Sequence, residues 1–357
     1  MGERPRPVEA LVNEKFWAGK RVFLTGHTGF KGAWLALWLA KLGAKVSALA
    51  LPPSTSPSLW ALVESRAGIA STMGDIRNLE VVKKAMAAAR PEVIFHLAAQ
   101  SLVRPSYDDP VGTYATNVIG TVHVLEAARK LDARAIVNVT SDKCYDNVGL
   151  ERGYREDDPM GGRDPYSSSK GCAELVTSAY RASFLKPLAS ARAGNVIGGG
   201  DWALDRIVPD IVRATLAGKP VQVRNPNAVR PWQHVLEPLA GYLVLAERVW
   251  EKPGEHAEGW NFGPDEKDAV PVERLVSRMT NIWGPPAEWS KDSGQHPHEA
   301  HFLRLDSGKA RKRLGWRPRL PLEKALEWTV DWYKRQASGE DARALTLAQI
   351  ERYMALA

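Results

Sequence analysis

The first half of the chain alternates short apolar runs with longer segments of helical period. Arg21 to Thr25 reads as a strand running into glycines. Residues 33–42 are apolar on every side, which predicts a buried helix, and Gly43 supplies its stop. Residues 45–51 predict a second strand, and a third strand region precedes Gly74-Asp75-Ile76. Leu79 to Ala89 predicts a helix ending before Arg90-Pro91, because a residue ahead of proline avoids the helical region. Residues 93–97 predict a strand, 117–130 a helix, 135–140 a strand, 166–185 a long helix and 188–192 a strand. Nearly continuous apolar strands alternating with helices predict a parallel sheet covered on both faces. That is a doubly wound α/β domain of Rossmann type.

The texture changes after about residue 193. Glycine, proline and tryptophan become frequent, with loop signals at Gly198-Gly199-Gly200-Asp201-Trp202 and Arg224-Asn225-Pro226-Asn227. Helical patterns return at 207–216, 236–249, 272–282 and 322–334. A smaller mixed α/β domain is expected, threading back onto the first. Residues 1–192 with about 231–260 form the cofactor domain in this reading; about 193–230 with 261–357 form the substrate domain.

Composition narrows the classes. Of 357 residues 44% are hydrophobic and 25% charged, ordinary for a soluble globular protein. The longest apolar run, Ala33 to Ala40, falls far short of the about 20 residues that span a bilayer. The first residues are polar and broken by prolines, unlike a secretory signal. Cys144 and Cys172 offer no disulfide framework and read as buried or idle thiols in a reducing cytosol. A net charge of +7 suits solubility or an anionic partner equally. Lys309, Lys312 and Arg313 form the one dense basic group, and their spacing spreads them around a helix. No basic motif with stacking aromatics marks a nucleic-acid protein, and a membrane partner is not expected either.

The chemistry begins at Thr25-Gly26-His27-Thr28-Gly29-Phe30-Lys31-Gly32. This is G-x-x-G-x-x-G between a strand and a helix. Such glycines allow a tight turn, a close approach of backbone N–H groups to a pyrophosphate, and close packing of helix on strand. The helix N-terminus then turns its positive end to the phosphates. In this context the loop predicts a bound dinucleotide. The second strand ends without an acid for the adenosine ribose and without an arginine for a 2′-phosphate. NAD is therefore expected over NADP. His27 is bulky for such a loop; it lies among the cofactor contacts or faces solvent. Asp75, Ile76, Leu97, Ala98, Ala99 and Thr116 complete the expected cofactor contacts, Asp75 toward adenine.

Tyr166-Ser167-Ser168-Ser169-Lys170 is Y-x-x-x-K, which puts both side chains on one helix face. Lysine charge beside the phenol is expected to lower its pKa, so that the phenolate can take a hydroxyl proton. Lys170 is also expected to hold the nicotinamide ribose. Ser141, Asp142 and Lys143 end the strand at 135–140, where ligands of open α/β sheets sit. Ser141 can hydrogen-bond the same substrate hydroxyl as Tyr166. Asp142 and Lys143 are an acid and base pair or a solvated turn.

With these motifs the chain resembles the extended short-chain dehydrogenases/reductases, and within them the nucleotide-sugar 4,6-dehydratases, from Phe16-Trp17 to about Tyr333. The Thr-Asp-Glu of the dTDP-glucose members is replaced by Ser141-Asp142-Lys143. That replacement, the glycine loop, Asn195-Val196-Ile197-Gly198-Gly199-Gly200-Asp201-Trp202 and Arg230-Pro231-Trp232-Gln233-His234-Val235 resemble the CDP-glucose 4,6-dehydratases. The resemblance implies NAD-dependent conversion of CDP-glucose: oxidation at C4 with Tyr166 as base, water loss across C5 and C6 with Lys143 as base and Asp142 as acid, then reduction at C6. It also implies a homodimer or homotetramer, and a role in making deoxysugars for surface polysaccharide such as O-antigen. Epimerases of this fold need Tyr166 and Lys170 but no elimination pair, and non-catalytic relatives tend to lose Tyr166 or Lys170.

Arg104, Asn195, Arg206 and Arg230 are candidates for substrate contacts, since arginine donors form a planar fork that fits phosphate. Arg104 and Arg206 are equally plain surface charges. His234 lines the nucleotide pocket or packs in the core. His296-Pro297-His298-Glu299-Ala300-His301 invites a metal, but Pro297 breaks its helical presentation and the implied chemistry needs none. No metal is expected.

Overall fold

The structure is a computed structural model describing residues 11–285, 287–292, 294 and 303–356. The histidine cluster at 296–301 lies outside the described residues. The strands are, in chain order, β1 (Arg21–Thr25), β2 (Lys45–Ala50), β3 (Ala70–Met73), β4 (Val93–His96), β5 (Ala135–Val139), β6 (Leu188–Arg192), β7 (Val196–Ile197), β8 (Val221–Val223), β9 (Val229–Pro231), β10 (Gln233–His234), β11 (Gly259–Asn261), β12 (Ala269–Pro271) and β13 (Trp289–Lys291). Seven of them form one parallel sheet in the order β11-β6-β5-β4-β1-β2-β3. The others pair into three short ribbons, β7 with β10, β9 with β12 and β8 with β13. This is the doubly wound Rossmann-type sheet that the alternation predicts.

Interior strands β4, β5 and β6 are buried along their whole length. The edge strand β3 is exposed throughout, which is why its polar sequence marked only a region. The helix Phe30–Lys41 buries eight consecutive residues, Gly32 to Leu39, under covering elements on all sides. The helix expected at 117–130 instead starts as a π-turn, Ala115–Ile119, and becomes α-helical at Gly120–Ala128. Asn117 explains the wider turn. Its buried amide donates to Gln100 O (2.9 Å) and Ser169 Oγ (2.8 Å) and accepts from Gln100 N (2.8 Å). The loop after β4 is thereby tied to the helix Pro165–Ser183.

Several helices went unread in the sequence, Ala342–Met354 the longest of them. That helix is capped by Asp341, whose carboxylate accepts from Ala344 N (2.8 Å). It covers the buried helix Phe30–Lys41, setting Tyr353 edge-on to Trp38 at 5.7 Å. Its buried face includes Thr346 and Gln349, which blurs the apolar period. Beneath it runs the helix Leu236–Glu251, also buried over most of its length. Two acids on that helix anchor chain ends. Glu237 accepts from Arg319 N (2.8 Å), Leu320 N (2.6 Å) and the Tyr353 hydroxyl (2.8 Å). Glu247 accepts from Asn13 N (3.0 Å) and Trp17 Nε1 (2.7 Å). Both cysteines are unpaired, Cys144 buried and Cys172 partly so. Among the described residues no helix is long and apolar enough to cross a membrane.

Candidate active site

Strand order reverses at β1, between β2 and β4. In open α/β sheets the ligand crevice lies there, outside the strand carboxyl ends. The glycine loop leaves β1 at this point. Gly26 has φ 81°, and a Cβ on it would lie 2.6 Å from Ala98 N. A Cβ on Gly32 would lie 2.0 Å from Gly26 O. Side chains are therefore excluded where helix, loop and β4 meet. Gly29 is exposed at the helix N-terminus, open to a ligand. Thr25 fixes the floor of the crevice. Its hydroxyl accepts from Leu97 N and Ala98 N (3.2 Å each) and lies 2.7 Å from His96 Nδ1.

His27 does not face solvent. Its ring is fully buried, with Nε2 2.7 Å from Ser71 Oγ and its plane edge-on to Trp60 at 4.5 Å. Burial pulls its pKa down to about 4, so the ring is neutral. The side chain fills space beneath the loop because Trp60 and Ser71 close around it. Asp75, past β3, accepts from Arg77 Nε (2.8 Å) and Nη2 (2.6 Å), and Ile76 packs behind it against Gly120. Thr116 sits in the π-turn.

Tyr166 and Lys170 project from the first turns of the helix Pro165–Ser183. Asp164 caps it, accepting from Ser167 N (2.9 Å), and Pro165 takes the first position. Both side chains are buried, at 7% and 6% exposure. Beside them Ser141 caps a short turn, Asp142–Cys144, and its hydroxyl donates to Asp142 Oδ1 (2.9 Å). Asn195, held at φ 51°, reaches Asp142 Oδ2 at 3.5 Å. Lys143 is half-buried, and its ammonium makes no hydrogen bond or ion pair with a described residue.

The electrostatics correct one expectation. Lys170 does not depress the phenol of Tyr166. Burial raises it to about 12, against the pull of the Ser141 hydrogen bond and the Arg206 charge. Desolvating a phenolate costs more than these groups return. Lys170 falls to about 8, again through burial, with Cys144 and Glu174 opposing. Lys31 falls to about 7 through burial and then the charges of Lys170 and Arg206, with Asp142 opposing. Lys170, Arg206 and Asp142 thus all lie within electrostatic reach of Lys31, a buried cluster richer in basic than acidic groups.

Other sequence candidates fall in distinct places. Arg206 donates to Asp201 Oδ2 (2.9 Å) and Ser101 Oγ (3.0 Å), joining the site. Arg104 pairs with Asp205 (3.3 Å), which also receives Arg224 (2.7 Å). Arg230 is buried on β9, donating to Val229 O (3.0 Å). His234 is a core histidine. It is fully buried between Trp34 and Trp328, 5.9 and 5.8 Å from their rings, and burial lowers its pKa to about 3. Tyr242 was missed. Its buried hydroxyl lies 3.4 Å from Lys31 Nζ, and its pKa is raised by burial and then by the charges of Asp142 and Tyr166. It stands in an unbroken apolar helix pattern, so no local signal marks it.

Residues 23–259 match the family model described as GDP-mannose 4,6 dehydratase. The chain is 52% identical over 354 residues to CDP-glucose 4,6-dehydratase of Salmonella typhimurium, covering 96% of this chain and 99% of that one. The chain belongs to the nucleotide-sugar 4,6-dehydratase family. The resemblance read from Ser141-Asp142-Lys143 and the flanking motifs is the one these matches show. A dTDP-glucose 4,6-dehydratase of Xanthomonas campestris is 25% identical, over 87% of this chain and 92% of its own. The fold is shared with the solved dTDP-glucose 4,6-dehydratase of Bacillus anthracis in complex with NAD, at a TM-score of 0.74 and 23% identity, covering 89% of this chain and 97% of that one.

Proposed function

We propose that this protein is an NAD-dependent lyase that converts CDP-D-glucose to CDP-4-dehydro-6-deoxy-D-glucose. The observation that carries the reading is the Asp142–Cys144 turn lying against Tyr166 and Lys170, in a chain 52% identical to a CDP-glucose 4,6-dehydratase. An oxidation base and an elimination pair then share one pocket.

Tyr166 removes the C4 hydroxyl proton, with Ser141 hydrogen-bonded to the same oxygen and Lys170 beside it. A ketone at C4 acidifies the C5 proton. Lys143, once neutral, removes that proton, and Asp142 in its protonated form gives a proton to the departing C6 hydroxyl. NAD, when bound, would supply the acceptor and donor for the hydride that leaves C4 and returns to C6, and Lys143 gives its proton back to C5. Gly26 to Gly32, Asp75, Ile76, Leu97, Ala98, Ala99, Thr116, Tyr166 and Lys170 would hold it. The fit is supported by the close packing of loop, helix and β4 that a Cβ on Gly26 or Gly32 would break, and by the open helix end at Gly29. Asn195 and Arg230, with Arg104 and Arg206, would meet the sugar and diphosphate.

We read residues 193–230 and 261–357 as the substrate lobe. A homodimer or homotetramer in the cytosol, supplying deoxysugars for surface polysaccharide, completes the reading. The unpaired Cys144 and Cys172 suit that reducing compartment. The test is incubation with NAD and, separately, CDP-, dTDP-, UDP- and GDP-glucose. Mass loss of one water and alkaline absorbance of a 4-keto-6-deoxy sugar are expected with CDP-glucose alone. Water loss from none of them rejects the reading.

A further inference from the structure

One buried ion pair, outside the residues given a chemical role, joins the two elements that carry Tyr166 with Lys170 and Ser141 with Asp142 and Lys143. Glu174 lies one helical turn past Lys170 and two past Tyr166, and is 4% exposed. Its carboxylate has four donors. Oε1 accepts from Thr140 Oγ1 (2.5 Å) and Arg192 Nε (2.9 Å); Oε2 accepts from Ser190 Oγ (2.7 Å) and Arg192 Nη2 (2.9 Å). Arg192, at the end of β6, is equally buried. It donates onward from Nη1 to the Tyr145 hydroxyl (2.6 Å) and to Glu156 O (3.3 Å), and Tyr145 donates to Asn261 Oδ1 in β11 (2.8 Å).

The sequence positions matter. Thr140 is the residue before Ser141, and Tyr145 is the residue after the Asp142–Cys144 turn. One carboxylate therefore ties the helix bearing Tyr166 and Lys170 to both ends of the segment bearing Ser141, Asp142 and Lys143. A buried ion pair is a poor source of stability, because desolvation offsets the attraction. A fully satisfied buried network is instead a good way to fix geometry.

We propose that Glu174 is a positioning residue, which through Thr140 and through Arg192 and Tyr145 holds Ser141 to Cys144 in register with Tyr166 and Lys170. The inference rests on the dehydration reading above. Oxidation at C4 draws on groups of the helix itself and on Ser141. Elimination also needs Asp142 and Lys143 aimed at C5 and C6 of the same sugar. Loosening the tie should slow elimination more than oxidation.

Thr140→Val removes one hydroxyl at nearly constant shape, and Thr140→Ser keeps it. For Thr140→Val the kcat of water loss should fall at least about tenfold, the scale of a small misplacement of catalytic groups. KM should stay within about twofold, a split that marks loss of transition-state interactions. Reduced cofactor should accumulate during turnover, and amide exchange across 141–145 should quicken. Thr140→Ser should match the wild type in all four. A Thr140→Val enzyme with wild-type kcat and exchange overturns the inference. So does one in which only KM rises, or in which turnover falls without reduced cofactor accumulating. A wild-type enzyme that removes no water from CDP-glucose fails the dehydration reading itself. A wild-type enzyme that does, beside an unaffected Thr140→Val, fails the inference alone.

Discussion

Gly194 and Asp142 stand so close that a Cβ on Gly194 would lie 2.0 Å from Asp142 Oδ2. The carboxylate occupies the space that any other residue at 194 would need. Gly194→Ala should therefore push Asp142 away from Ser141 and Tyr166. General acids contribute on the order of 100-fold or more, so turnover should fall by that order while the fold survives a single methyl. Steady-state kinetics beside a melting curve will separate the two effects. Unchanged turnover would mean that Asp142 relaxes elsewhere without loss, and that it is not the acid.

Tyr166→Phe removes the proposed base of the first step and keeps the ring that fills its site. Turnover should drop by about 100-fold to 10,000-fold, with substrate binding measured by calorimetry little changed. In the ligand-free protein the phenol is held near 12, and burial is the cause. The pH dependence of kcat/KM, which reports the free enzyme, should rise with pH as the phenolate forms. A variant that turns over like the wild type removes Tyr166 from the mechanism.

Lys143→Met keeps the length of the side chain and loses its amine. The expected result is an enzyme that oxidises C4 and stops there. Reduced cofactor should build up in a single turnover and no water should be lost. Normal dehydration by this variant would hand the C5 proton to another base.

Much of the fold was legible because polarity boundaries coincide with physical stops. Asn78 caps the helix Leu79–Ala89, its carboxamide accepting from Glu80 N and Val81 N, and Arg90 in a left-handed conformation ends it before Pro91. The helix Ile207–Leu216 likewise matches its apolar period. The site was legible in its spacing and not in its environment. Y-x-x-x-K sets Tyr166 and Lys170 on one face, but no local pattern reports how much neighbouring elements bury them. Burial then outweighs charge at the phenol. The sequence left His234 open between pocket and core, and it did not foresee the burial of His27, for the same reason. Their surroundings, Trp60 with Ser71 and Trp34 with Trp328, come from segments distant in the chain. Tyr242 and the helix Ala342–Met354 are likewise products of tertiary packing.

The buried acids of the helix Leu236–Glu251 make stability depend on pH in an unusual direction. Burial raises Glu237 from the ordinary 4.5 to about 7, against hydrogen bonds from Arg319, Leu320 and Tyr353. Its folded-state pKa lies above its unfolded one, so the fold binds the extra proton. The stabilising contribution is complete below about pH 4.5 and is lost as pH rises through about 7. Glu237→Gln keeps the acceptor for Arg319 N and Leu320 N and places an amide beside the Tyr353 hydroxyl. Between pH 5 and 8 the variant should gain on the wild type as pH rises, by up to roughly 3 kcal/mol, the linkage value of such a shift. Glu247, raised to about 7 by burial, would leave a similar slope in both proteins, so the difference between them isolates Glu237. Urea unfolding across that range will measure it. A stability difference that stays flat with pH would show that Glu237 is charged in the fold at neutral pH and that its three donors outweigh its burial.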